Sequence, residues 1–344
     1  MLSVNSIYYP KLKPAALPRV IMIEPTSVCN LKCAMCYVQQ NIKTGSYLDL
    51  PKFNAIIEQF QEIRELIFCG IGEPFLNKDI FAMIETAKQR GIVFVNLITN
   101  GKLLDREMAL KIVSSGISRI QISVHSFNPK VFSEIRNEEK SGLEKLKLGI
   151  KELVRQKKEL NSGIKICCNA VITKFNYNDI SAFIKEAKEL GVDRVEFIQM
   201  TTANGSLTNM NAPMGHMKNI CNQARKLARR LDIEAGFLNG NEYGRCYQLW
   251  DFMMIHADGN VSPCNGIFPT ENIGVGDVFK EPIRKIWDSE KYQKLRYEIK
   301  NGKLKYCKYC ESGYCIEGKD FRWFKNYYLR PLKRFIKTLY ESRK

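Results

Sequence analysis

The sequence contains no apolar run approaching the ~18 residues that a membrane-crossing helix requires, so no span is expected. The opening segment, MLSVNSIYYPKLKPAALPRV, has no continuous apolar stretch leading to a small-residue cleavage site, which argues against secretion. No internal repeat and no low-complexity linker stands out, which sets aside repeat arrays and tethered modules. Histidine is scarce, with three in the chain, and His216 and His256 lack metal-ligand spacing, so ordinary polar roles are expected of them. Acidic residues are few against basic ones, 36 Asp and Glu to 53 Lys and Arg, a net charge of +17. Such an excess favours anionic partners such as nucleic acid, anionic lipid or phosphorylated substrates; a solvated, lysine-rich surface explains it equally well.

What the chain has in abundance is cysteine, twelve in 344 residues. With no secretory signal these thiols point to metal binding or catalysis rather than to disulfides, and to a cytoplasmic location where they stay reduced. A chain of this length can bury one large core and one small one.

Apolar patterning alternates along the first two thirds of the chain. Strand-like runs fall at 19–24, 65–69, 92–98, 119–124, 164–172 and 194–199. Helix-like stretches fall between them at 51–63, 79–90, 105–115, 130–159 and 179–190, and another at 216–232, with Gly91, Gly116 and Gly191 as stop signals. This alternation predicts an α/β fold, a parallel sheet curled into a partial (β/α)6 TIM-type barrel over residues 19–235, after an extension at 1–18. In such barrels active sites lie at the C-terminal ends of the strands. Beyond about residue 240 the alternation stops. A small cysteine-rich domain is expected over 236–320, followed by a basic, aromatic tail at 321–344.

The loop after the first predicted strand reads Cys29-Asn-Leu-Lys-Cys33-Ala-Met-Cys36-Tyr37. Three thiolates on one short loop leave one iron of a four-iron cubane without a protein ligand, open to a substrate or cofactor. The competing reading is a zinc site completed by a fourth ligand elsewhere. The strand-end position favours the first, and here the chain resembles the radical S-adenosylmethionine superfamily, over roughly residues 19–200. The resemblance implies a 4Fe–4S cluster on Cys29, Cys33 and Cys36, and reductive cleavage of S-adenosylmethionine to a 5′-deoxyadenosyl radical that takes hydrogen from a substrate. It also implies a low-potential electron donor such as flavodoxin or ferredoxin. Gly70-Ile71-Gly72-Glu73-Pro74 resembles the family's turn that receives the methionyl amino group. Tyr37 resembles its aromatic residue near the adenine, Asn100 within Thr99-Asn100-Gly101 its strand-three turn, and Ser123 its strand-four serine. Arg136 is similar to an arginine that meets the methionyl carboxylate, and Met200 to a residue bordering the adenine. His125 stands where the family often has Asp.

Farther on, Cys246 and Cys264 flank the predicted hairpin turn Asp258-Gly259-Asn260, and Cys307-Lys-Tyr-Cys310 and Cys315 follow. Four cysteines saturate one cluster, or one zinc ion. This segment resembles the SPASM and twitch auxiliary-cluster domains, opening with Cys246 and then Gly259 ahead of Cys264, with fewer cysteines than the full SPASM pattern. The resemblance implies a small iron–sulfur domain with one auxiliary 4Fe–4S cluster on Cys246, Cys264, Cys307 and Cys310. Cys315 is an alternative ligand, a spare or a packing thiol.

Cys69, Cys167, Cys168 and Cys221 are left over. Strand alternation turns one of Cys167 and Cys168 into the barrel, where a thiol could return a hydrogen atom to a substrate. The tail, rich in Phe, Tyr, Lys and Arg, suits either peripheral membrane contact or docking on the barrel. The expected function is hydrogen abstraction from a peptide or a polar, sugar-like small molecule, for oxidation, epimerisation or crosslinking. The short extension before the first strand leaves no room for an added leader-peptide-binding domain. The alternative is a non-catalytic zinc or iron–sulfur protein that binds nucleic acid. That reading explains the charge but not three cysteines followed by Gly72-Glu73-Pro74, so nucleic acid is not the expected partner.

Overall fold

The computed structural model describes residues 11–36, 45–200, 210, 212, 214–238, 245–246, 248–264, 274–301, 303 and 315–316. Seven parallel strands lead: β1 (Val20–Ile23), β2 (Glu65–Phe68), β3 (Phe94–Thr99), β4 (Arg119–Ser123), β5 (Lys165–Ile172), β6 (Arg194–Gln199) and β7 (Glu234–Leu238). Between them lie α1 (Leu50–Ile57), α2 (Ile80–Gln89), α3 (Arg106–Ser114), α4 (Pro129–Arg136), α5 (Ser141–Glu159), α6 (Ile180–Glu189) and α7 (Met214–Arg230). The later elements are β8 (Arg245–Cys246), α8 (Gln248–Asp251), β9 (Phe252–Ile255), β10 (Asn260–Ser262), β11 (Gly276–Asp277), α9 (Ile283–Trp287), α10 (Glu290–Lys300) and β12 (Cys315–Ile316).

The strands form an open ten-stranded sheet in the order β11-β10-β9-β1-β2-β3-β4-β5-β6-β7, and β8 pairs with β12 separately. The six expected strand-helix units are present, and the barrel is partial. Two features go beyond the sequence reading. β7 adds a seventh parallel strand beside β6. β9 pairs in parallel with β1, Met22 opposite Met254, so the hairpin of the cysteine-rich region extends the barrel sheet itself.

Local chemistry explains most of these elements. Gly91, Gly116 and Gly191 follow α2, α3 and α6 with φ of +76, +82 and +80°, the left-handed conformation that ends a helix at little cost for glycine. Asp49 and Asp105 cap α1 and α3 through side-chain acceptors to Lys52 N and Met108 N, each at 2.8 Å. The helical pattern expected to reach Ile63 stops at Ile57, because Phe60 and Ile63 continue the buried spacing from non-helical backbone. The long charged stretch at 130–159 is two helices, broken at Asn137 (φ 51°).

Strand alternation divides the sheet into two faces. Ile21, Phe68, Leu97, Ile122, Cys168 and Phe197 point outward into an apolar layer shared with the helices. Fully burying each such large side chain contributes about 1.5–3 kcal/mol. The inner face is divided. Met22, Ile67, Phe252 and Met254 make an apolar patch across β9, β1 and β2. Across β2 to β6 it carries buried polar pairs: Glu65 with Asn96 (2.5 Å) and Arg119 (3.6 Å), and Glu196 with Gln121 (2.5 Å) and Arg194 (3.8 Å).

The segment before β1 is held by donors from α8, α9 and α10. Trp250 Nε1 donates to Lys11 O, Trp287 Nε1 to Ala16 O, and the buried Arg296 to Leu12 O, at 2.9, 3.0 and 2.9 Å.

Candidate active site

The cysteine loop leaves β1 at its C-terminal end and is closed by its own polar side chains. Thr26 Oγ1 donates to Ser46 O (2.8 Å), Ser27 Oγ accepts from Ser46 N (2.8 Å), and Thr26 bridges to Tyr47. Ala34 N donates to Ile135 O at 2.9 Å, fastening the loop to α4. Cys29, Cys33 and Cys36 are all free and partly buried. Burial pushes the Cys33 thiol up to about 12, against the pull of the Arg136 guanidinium, and Cys36, Cys29 and Glu138 push it the same way. Burial likewise raises Cys29. The buried Cys29 and Cys33 become thiolates readily only beside a strongly cationic partner, and a cluster of irons is such a partner. Among the described residues no three His, Cys, Asp or Glu side chains close on a single ion. A cubane asks less, since each cysteine meets a different iron.

The Gly70–Pro74 turn presses against the base of this loop. A Cβ at Gly72 would stand 2.2 Å from Thr26 O and 2.4 Å from Val28 O, so only glycine fits there. Glu73 N donates to Val28 O at 2.8 Å. The Glu73 carboxylate is 2% exposed and accepts from Thr99 Oγ1 (2.7 Å), Asn100 N (2.7 Å) and Phe75 N (3.3 Å). Burial raises its pKa, and those hydrogen bonds oppose the rise.

Arg136 is 1% exposed, at the end of α4. Its Nη1 donates to Asn100 O (2.8 Å) and Ser123 O (2.6 Å), its Nε and Nη2 to Glu138 (3.1 and 3.0 Å), and it stacks over Phe132. It is a buried tie between the ends of β3 and β4 rather than a solvated helix charge. Ser123 ends β4, and Met200 is buried directly after β6.

His125 does not take the place of an aspartate at the site. It is buried with φ 66°, and its Nδ1 accepts from Val171 N at 3.3 Å. It lines a small cavity together with Ile172, Ile180, Phe183 and Phe197. Burial holds its pKa down to about 3, so the ring stays neutral. Cys167 lies beside Gln121, Glu196 and Arg194, whereas Cys168 belongs to the helix-facing core; both are fully buried. In the β4–β5 register Cys167 pairs with Gln121, two residues below the Ser123–Asn169 level, so its thiol lies beneath the rim.

Glu24, which the sequence did not single out, and His256, expected to take an ordinary polar role, join the site to the later segment. Glu24, 2% exposed, accepts from Ile71 N (2.6 Å) and Ala257 N (3.2 Å), and lies 3.6 Å from His256 Nδ1. His256 Nε2 is 2.7 Å from Ser262 Oγ, two residues before the buried Cys264. Strand parity was the available signal: Glu24 and His256 each follow an inward Met by two positions. In the other pair of strands, Cys246 stands directly opposite Cys315. Tyr37, Cys307, Cys310 and the tail at 321–344 lie outside the described residues, and Cys246 and Cys315 are described in backbone only.

Comparison with known proteins agrees with this geometry. The profile of the Radical SAM superfamily matches residues 23–180, and that of SPASM, an iron–sulfur cluster-binding domain, matches 246–311. The chain is 26% identical over 312 residues to a tungsten-containing aldehyde ferredoxin oxidoreductase cofactor-modifying protein of Pyrococcus furiosus, covering 85% of this chain and 87% of that one. It is 25% identical to a PqqA peptide cyclase of Bradyrhizobium diazoefficiens, covering 86% and 79%. Its fold matches Streptococcus suis SuiB, solved with the precursor peptide SuiA, with a TM-score of 0.68 and 17% identity, covering 82% of this chain and 67% of that one.

Proposed function

The chain belongs to the radical SAM superfamily and carries a SPASM domain, and from that premise we propose that it takes a hydrogen atom from a peptide or a polar, sugar-like small molecule, leading to oxidation, epimerisation or crosslinking. The observation that carries this reading is the placement of three free, partly buried cysteines at the end of β1, against a glycine turn and the buried Glu73 and Arg136. A 4Fe–4S cluster and S-adenosylmethionine are the cofactors of this family, and the SPASM domain is an iron–sulfur domain. When bound, they supply the 5′-deoxyadenosyl radical that takes the hydrogen atom.

In this reading Cys29, Cys33 and Cys36 hold the first cluster and leave one iron open. Gly70, Gly72 and Pro74 shape the floor beneath the methionyl group, Glu73 faces its ammonium, and Arg136 sets the Asn100 and Ser123 carbonyls. Tyr37 and Met200 border the adenine. Cys246, Cys264, Cys307 and Cys310 hold one auxiliary 4Fe–4S cluster, and the register of Cys315 with Cys246 supports Cys315 as an alternative ligand. A polar substrate or cofactor group is supported by Asn169, whose side-chain Oδ1 is buried without a hydrogen-bond partner at the Ser123 level of the barrel. Peptide substrates are supported by the peptide cyclase and SuiB, cofactor-like small molecules by the P. furiosus relative. A flavodoxin or ferredoxin supplies the electron, and the thiol-rich chain works in the cytoplasm.

Anaerobic purification tests the reading. About eight irons per chain, for two four-iron clusters, with 5′-deoxyadenosine formed on reduction in the presence of S-adenosylmethionine, is the expected result. Zinc in place of iron, with no 5′-deoxyadenosine, would refute it.

A further inference from the structure

Asn100 lies at the centre of the site, and every polar atom it has is used. Its backbone N donates to Glu73 Oε2 (2.7 Å) and its backbone O accepts from Arg136 Nη1 (2.8 Å). Its side-chain Oδ1 accepts from Lys102 N at 2.8 Å. Its Nδ2 donates to Asn30 Oδ1 at 2.7 Å and to Cys29 Sγ at 3.7 Å. The orientation of the amide follows from its partners. A backbone N–H requires an acceptor, so the atom facing Lys102 is the oxygen, and the atom facing Cys29 is the nitrogen. That nitrogen carries two hydrogens, and there are two acceptors for them. Exchanging the ends would set an NH2 against the Lys102 donor and an oxygen against a thiolate.

We propose that Asn100 is a positioning residue that sets the reduction potential of the cluster on Cys29, Cys33 and Cys36, by donating an amide N–H to the Cys29 sulfur. The inference rests on the functional reading above. One-electron reduction adds negative charge that spreads onto the thiolate sulfurs. A hydrogen-bond donor aimed at one of them stabilises the reduced state more than the oxidised state and raises the potential. Leu31 adds a backbone hydrogen bond to the same sulfur, whereas Cys33 lies in the field of the Arg136 cation instead. Among the described residues, directed N–H groups reach the Cys29 sulfur, and Cys33 is held by a charge, so these ligands are unequal. Through its backbone, Asn100 also joins this sulfur to Glu73 and Arg136, so the group that tunes the cluster is fixed both by the carboxylate that faces the methionyl ammonium and by the buried guanidinium.

The test uses the full chain, reconstituted anaerobically, with the cluster signals followed by EPR through a redox titration. The signal that changes on adding S-adenosylmethionine belongs to the first cluster. Asn100→Leu, neutral and of similar size, is expected to lower the reduction equilibrium constant of that signal about tenfold, ~59 mV for a one-electron couple. The auxiliary signal keeps its potential. An unchanged first-cluster potential with the irons retained overturns the proposal. If the variant loses the cluster, wild-type protein carrying 15N in asparagine side-chain amides decides: a nitrogen coupling to the S-adenosylmethionine-responsive signal supports the hydrogen bond, and its absence overturns it. A wild-type chain with no responsive signal at all would overturn the functional reading, and this inference with it.

Discussion

The two cysteine regions are built on opposite plans. The first is local: Cys29, Cys33 and Cys36 occupy one loop, closed by Thr26 and Ser27 and enclosed by the ends of β2, β3 and α4. The second is dispersed. Cys264 closes the hairpin that extends the sheet at β1, and Cys246 and Cys315 face each other in a separate ladder. A local site needs one loop conformation; a dispersed one needs several strand pairings first. The buried Glu24 joins the two, accepting from Ile71 N on the first side and Ala257 N on the second.

The largest expected effect separates the regions outright. Replacing Cys29, Cys33 and Cys36 together with Ala should abolish 5′-deoxyadenosine formation, whereas Cys264→Ala should remove iron and leave that step in place. Retained cleavage in the triple variant would end the assignment of the first cluster. Next comes the anchoring of the first site. Arg136→Met leaves the carbonyls of Asn100 and Ser123 without their donor and Glu138 with only the half-exposed Lys102 beside it among the described residues, and should cost about 3–5 kcal/mol in denaturant unfolding; a loss under 1 kcal/mol would show that the tie is dispensable. Glu24→Gln should cost about 1–3 kcal/mol, because an amide can accept at only one end and presents a donor to the other N–H. If it leaves stability unchanged, the two regions are not joined through this carboxylate.

A smaller effect is read from pH. His125 is held at about 3 when folded, below its ordinary 6.5, so the unfolded chain binds a proton that the folded chain refuses. Its contribution to stability is present above 6.5 and is lost as pH falls towards 3, with a slope of at most ~1.4 kcal/mol per pH unit. His125→Asn, which tolerates the left-handed backbone, should flatten the stability curve between pH 7 and 5; an unaltered slope would assign the acid sensitivity elsewhere.

How much of this was legible follows the same division. The first site was readable because its three cysteines fit in one short word behind an apolar run, and because glycines mark the helix ends. The second was not, because nothing in FMMI announces that it will lie beside VIMI more than two hundred residues earlier. β7 escaped notice for a related reason. Its sequence, EAGFL, is short and centred on Gly236, where a Cβ would stand 2.3 Å from the Arg194 guanidinium. Glu24 was hidden by its type, since a carboxylate after a strand reads as solvent-facing until backbone donors from two distant turns converge on it. Asn137 divides one long amphipathic pattern without a proline or glycine to signal the break.

The pairing of β1 with β9 also sets an order of events during synthesis. Residues 20–23 leave the ribosome more than two hundred residues ahead of residues 252–255, which complete one of their two edges. At roughly 5–20 residues per second, that edge waits on the order of tens of seconds while the rest of the barrel is made. For that interval the growing chain carries an apolar strand with unpaired backbone groups on one side, open to whichever strand arrives first. Its correct partner is carried by the segment that also brings Cys264, so the strand that completes this edge and the cysteine that follows its hairpin arrive together.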